Sequence, residues 1–140
     1  MVGKNARELA AWESRTLIGC LHDLLRNKEV ICALIVREDA AVLAKVVADA
    51  KFDVDALGTF ASMIFATSRM LLQTLGVEGE IVGHMEFGAG NHLLIMGITS
   101  TIALVTFSKT LLARGLMEHQ ARAMAPRIAN CLNATNRPES

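Results

Sequence analysis

The chain has 140 residues, 52% of them apolar and 20% charged, with a mean hydropathy of +0.38. Fourteen basic residues balance fourteen acidic ones and aromatics make up 4%, which argues against a global field for nucleic acid or anionic lipid and against a set of base-stacking platforms. The length predicts one domain, and its apolar excess predicts burial against another subunit.

The opening MVGKNARELAAWESR is charged and lacks the apolar run of a secretory signal, so a cytoplasmic location is expected. Cys20, Cys32 and Cys131 are far apart, lie in apolar segments and form no Cys-x-x-Cys pair; reduced, buried thiols are the expectation. From Glu8 to Asn27 the apolar residues Leu9, Trp12, Leu17, Ile18, Leu21, Leu24 and Leu25 recur at helical spacing, and Asn27-Lys28-Glu29 supplies the turn that ends the helix. Val30–Arg37 and Val42–Ala48 then read as two strands about the hinge Glu38-Asp39-Ala40-Ala41. Their near-continuous apolarity implies that both faces of the sheet are covered.

Asp53 or Asp55 can cap a helix from Val54 to Leu75, and Gly76 is its natural stop. Its main stripe, Leu57, Phe60, Ala61, Ile64, Ser68, Leu71 and Leu75, is expected to face the sheet. A second stripe, Ala56, Met63, Ala66, Met70 and Thr74, needs another cover. Three strands follow, Glu80–Phe87, His92–Ile98 and Ile102–Lys109, joined by short turns that force antiparallel pairing. The uncharged run Leu93–Phe107 falls short of the ~18–20 residues of a membrane-spanning helix and is better read as two buried strands. A last helix from about Leu111 to Leu132 presents Met117, Ala121, Met124, Ile128 and Leu132 on one face. Pro126 predicts a kink or restart there, and Asn133–Ser140 a frayed tail.

No catalytic, cofactor or metal site is predicted. With Phe87 opposite His92, alternation places His84 on the other face of the sheet, so the two histidines would not converge. Gly88-Ala89-Gly90 lies between two strands rather than between strand and helix, which rules out a dinucleotide fingerprint. The carboxylates of Glu38-Asp39 and Glu78-Gly79-Glu80 read as solvated turns. Met63 and Met70 coincide with the second stripe of the middle helix and read as an adaptable interface.

The leucine-rich helix ending LHDLLRNKEV, the hairpin ICALIVREDAAVLAKVV and the block EIVGHMEFGAGNHLLIMGITSTIALVTF together resemble the roadblock family. That family includes roadblock-type dynein light chains and bacterial and archaeal partners of small Ras-like GTPases. The resemblance runs from about Glu8 to Leu132 and implies an α+β domain. A five-stranded antiparallel sheet would carry the middle helix on one face and the terminal helices on the other. It departs at the first turn, where the family commonly has Asp-Gly and this chain has Asp39-Ala40; alanine pays a steric cost in a left-handed backbone, so another turn geometry or a longer loop is expected.

The resemblance further implies a homodimer or a heterodimer with a similar subunit, joined through Ile81, Val82, His84, Met85, Glu86 and Phe87 and through Met63 and Met70. A small Ras-like GTPase would rest on Ala56, Thr59, Ala66, Thr67, Gln73 and Thr74. The expected role is a non-enzymatic regulator or scaffold. Alternatives are an adaptor subunit of a motor or membrane-tethered complex and, third, a small-molecule sensor.

Overall fold

The computed structural model describes residues 17–88, 90–109 and 114–136. β1 (Val30–Arg37) and β2 (Val42–Val47) form the expected antiparallel hairpin. Its turn corrects the expectation for Ala40, which takes the left-handed conformation after all, at φ +74°. The Ala40 N–H donates to the Arg37 carbonyl (2.9 Å) and the Arg37 N–H to the Ala41 carbonyl (2.8 Å), the pattern of a type I turn closed by one left-handed residue. Asp39 holds it in place: its carboxylate accepts the Ala41 N–H at 3.1 Å and both arms of the Arg37 guanidinium at 3.0 and 2.9 Å.

β3 (Val82–Glu86), β4 (His92–Gly97) and β5 (Ile102–Ser108) complete one sheet in the order β2-β1-β5-β4-β3, antiparallel throughout. The uncharged run 93–107 is thus strand, turn and strand, and no described helix is long and apolar enough to cross a membrane. Because side chains alternate along a strand, each strand feeds two cores. Leu34, Val36, Ile95 and Val105 face the helix α2 (Val54–Leu75), whereas Ala33, Ile35, Leu94, Met96 and Leu104 face the other layer. That layer is built from α1 (17–25) and α3 (Arg114–Asn136), with Leu17, Leu21, Leu24, Met117, Ala121 and Ile128 buried in it. An ion pair between Arg127 and Asp23 (3.0 Å) ties α3 to α1. The expected helical residues 8–16 and 111–113 lie outside the described residues; of the expected tail Asn133–Ser140, residues 133–136 instead continue α3, and 137–140 lie outside the described residues.

α2 begins at Asp53, whose carboxylate accepts the Ala56 N–H at 3.0 Å, and ends at Gly76 in the left-handed conformation (φ +67°). Its buried residues are Val54, Gly58, Ala61, Ser62 and Phe65, none later than Phe65. This corrects the expected stripe: Phe60, Leu71 and Leu75 are 63%, 56% and 63% exposed. Small residues draw the helix onto the sheet instead. A Cβ on Gly58 would come within 2.9 Å of Val42 Cγ2 and 3.3 Å of Leu34 Cδ1. Ser62 tolerates full burial because its hydroxyl donates to the Thr59 carbonyl at 2.8 Å. With the small side turned inward, the large apolar side chains face out.

α3 runs through Pro126 without the expected restart. Pro126 and Arg122 are both exposed, so the missing hydrogen bond falls on the outer side of the helix. Burial pushes the Cys32 thiol up to about 12 and raises that of Cys20.

Candidate functional site

β3 is a sheet edge, and its backbone registers which groups are unpaired by β4. The Gly97 N–H donates to the Ile81 carbonyl (2.8 Å) and the Phe87 N–H to the Asn91 carbonyl (3.0 Å). With a period of two, the odd residues bond inward and the backbone groups of Val82, His84 and Glu86 face outward. The side chains divide the other way. Ile81, Met85 and Phe87 lie on the α2 side, where Phe87 meets Phe107 at 6.0 Å between ring centroids. Val82, His84 and Glu86 lie on the α3 side, opposite Met96, Leu94 and His92. Met85 and Phe87 are exposed, as are Phe60, Met63, Met70, Leu71 and Leu75 on α2.

The residues predicted for the partner and the dimer on α2 are distributed over two hollows and the surface beside them. Thr67 and Met63 join Phe60, Ile64 and Ser68 around an apolar hollow of about 340 Å³. Ala66, Met70 and Gln73 line a second, polar hollow of about 540 Å³ with Arg69, Glu38 and Asp39. Ala56 is half-buried, Thr74 is exposed, and Thr59 is exposed with its hydroxyl bonded to the Asp55 carbonyl. Phe60, Leu71 and Leu75 belong to the exposed surface but escape a reading that weighs side-chain size, since size favours burial. The small residues Gly58, Ala61 and Ser62, at one helical azimuth, are the signal that identifies the inward face.

The histidines require a correction. Glu86, not Phe87, stands opposite His92, and a register shift of one residue moves a side chain to the other face. His84 and His92 therefore share the α3 side, with His84 Nδ1 and His92 Nε2 2.7 Å apart and their rings edge to edge, 19° from parallel with centroids 4.9 Å apart. His84 Nε2 meets Glu118 Oε1 of α3 at 2.5 Å. Arg122 binds the other Glu118 oxygen at 3.1 Å and reaches Glu80 at 2.7 Å. The hydrogen bond from His84, reinforced by Arg122, holds the Glu118 carboxyl below the usual carboxylate range.

Three of the supposed solvated carboxylates are thus paired, Glu80 with Arg122, Glu38 with Arg69 at 2.6 Å and Asp39 with Arg37 at 2.9 Å. Among the described residues no group of three or more His, Cys, Asp or Glu is arranged to hold a metal ion.

No protein-family model and no curated protein matches the chain by sequence. Solved structures do match by shape. MglB of Myxococcus xanthus superposes with a TM-score of 0.78 at 14% identity, over 91% of this chain and 96% of that one. The gliding protein MglB of Thermus thermophilus gives 0.71 at 19% identity, over 87% and 92%. A Roadblock/LC7 domain from Streptomyces avermitilis gives 0.69 at 13% identity, over 83% and 97%. Strand order, the two helical layers and these superpositions agree: the chain has the roadblock fold.

Proposed function

We propose that this protein is a non-enzymatic, dimeric regulator or scaffold that binds a small Ras-like GTPase. The observation that carries the reading is the unpartnered apolar surface on one side of the sheet: Phe60, Met63, Met70 and Leu71 on α2, with Met85 and Phe87 on β3. So many large apolar side chains on one side of a small domain mark an interaction surface. Two copies, or this chain and a similar one, join through the outward backbone of Val82, His84 and Glu86, bringing the Ile81–Phe87 segments and the Met63 and Met70 flanks together. The GTPase rests on the remaining α2 surface, including Ala56, Thr59, Ala66, Thr67, Gln73 and Thr74. Preference for one nucleotide state of the partner suffices for regulation, since binding one state better shifts its population.

Titration of the source organism's small Ras-like GTPases, loaded with GDP or a GTP analogue, tests the proposal. Binding is expected, with one nucleotide state preferred, and the Phe60→Glu/Thr67→Glu variant is expected to weaken it at least about tenfold without unfolding, as exposed positions tolerate polar groups. A stable dimer that binds no GTPase in either state would leave the assembly-subunit role in its place.

A further inference from the structure

Three contacts converge where β3 meets α3: His92 to His84, His84 to Glu118, and Glu118 to Arg122. We propose that His84, His92 and Glu118 form a proton-operated latch that seats the edge strand β3 against α3 and lets it go in mild acid. The inference rests on the reading of β3 as the pairing edge, and makes the availability of that edge depend on pH.

The geometry limits how many protons the pair can hold. Two ring nitrogens 2.7 Å apart share one hydrogen, so one of them must offer a lone pair. With His84 carrying both of its hydrogens, Nε2–H donates to Glu118 and Nδ1–H to the bare Nε2 of His92; every bond is kept and the Glu118 bond becomes charge-assisted. A second proton would fall on His92 Nε2 and set two N–H groups head to head between like-charged rings that meet edge to edge. His92 is fully buried, so water cannot screen the pair. The closed latch therefore takes one proton, whereas the separated histidines take two.

The sign follows from linkage. Below the ordinary histidine range, near 6.5, the open strand binds more protons than the closed one, so closing weakens as pH falls, by up to about tenfold per unit. Glu118 does not interfere in that range, because His84 and Arg122 keep it ionised to lower pH than usual. Other described groups also line the site. Glu86 shares the β3 face, Glu80 and Arg122 pair with each other, and β5 sets the uncharged Ser108 and Thr106 opposite His92 and Leu94. β3 is the element that such a latch can free: five residues, bonded to one neighbouring strand, none of them fully buried.

The test measures two quantities on the full chain at about pH 7 and about pH 5: hydrogen exchange of the Val82–Glu86 amides, corrected for intrinsic rate, and the dimer dissociation constant by sedimentation. In the wild type, β3 protection is expected to fall at least about tenfold in acid while β1 and β5 stay protected, with the dimer weakening in parallel. His92→Gln supplies an acceptor for His84 but no second proton site, and should abolish the acid effect. Glu118→Gln, at a partly exposed position, covers the case in which His92→Gln does not fold. It removes the charge that favours the first proton, so release should begin closer to neutral pH. Protection of β3 that is unchanged in acid, or lost equally in wild type and His92→Gln, overturns the latch. If β3 loosens as predicted but the chain is monomeric at both pH values, the latch stands and the edge-pairing reading falls.

Discussion

Ala40 bears a strain that its neighbours hold in place. A left-handed backbone costs a non-glycine residue about 1–2 kcal/mol, and Asp39 locks the turn that demands it. Ala40→Gly is therefore expected to raise unfolding free energy by about 0.5–1 kcal/mol in chemical denaturation, the strain relieved exceeding the added freedom of the unfolded chain. Asp39→Ala should act in the opposite sense. Cys32 shows a different residue-scale consequence. With its thiol pushed up to about 12 by burial, it should ignore thiol reagents at neutral pH until the protein unfolds, because the thiolate is the reactive form. Labelling of the native protein at a rate close to that of the unfolded chain would contradict the burial.

At the scale of elements, boundaries were legible where backbone chemistry is local. Asp53 and Gly76 bracket α2 because a carboxylate satisfies free amides and glycine accepts a left-handed stop. The first two strands announced themselves by apolar runs too short for helices. What could not be read was orientation within an element. The azimuth of α2 depends on how closely Gly58 approaches Val42 and Leu34, and the register of β3 on a turn one residue different from the one expected. Both are tertiary quantities, and they decided the exposed surface and the histidine pairing. Gly58→Val should accordingly destabilise by about 1–3 kcal/mol through overpacking, and Phe65→Ala by about 3–5 kcal/mol through loss of a fully buried ring. Thermal or denaturant unfolding checks both, with Lys51→Ser, exposed and outside the proposed interfaces, as a control expected to stay within about 0.5 kcal/mol.

For the whole molecule, architecture was legible and assembly only as an apolar surplus. The order of elements led to the roadblock fold because connection lengths and two-sided burial leave few topologies. The surplus sits on one side of the sheet, with β3 as an open border beside it. Val82→Pro, at the first residue of β3 where the backbone N–H points away from β4, should preserve the folded monomer yet weaken dimerisation at least about tenfold by sedimentation, since it removes an outward donor. α2 carries one more implication. Its full burial ends at Phe65 and its ion pair to the first hairpin turn is at Arg69, so the six residues from Met70 to Leu75, about 9 Å of helix at 1.5 Å per residue, reach past their support like a cantilever. Such an overhang frays when unloaded and stiffens under whatever leans on it, so a bound protein would be recorded as slowed exchange in its amides even where it touches none of them.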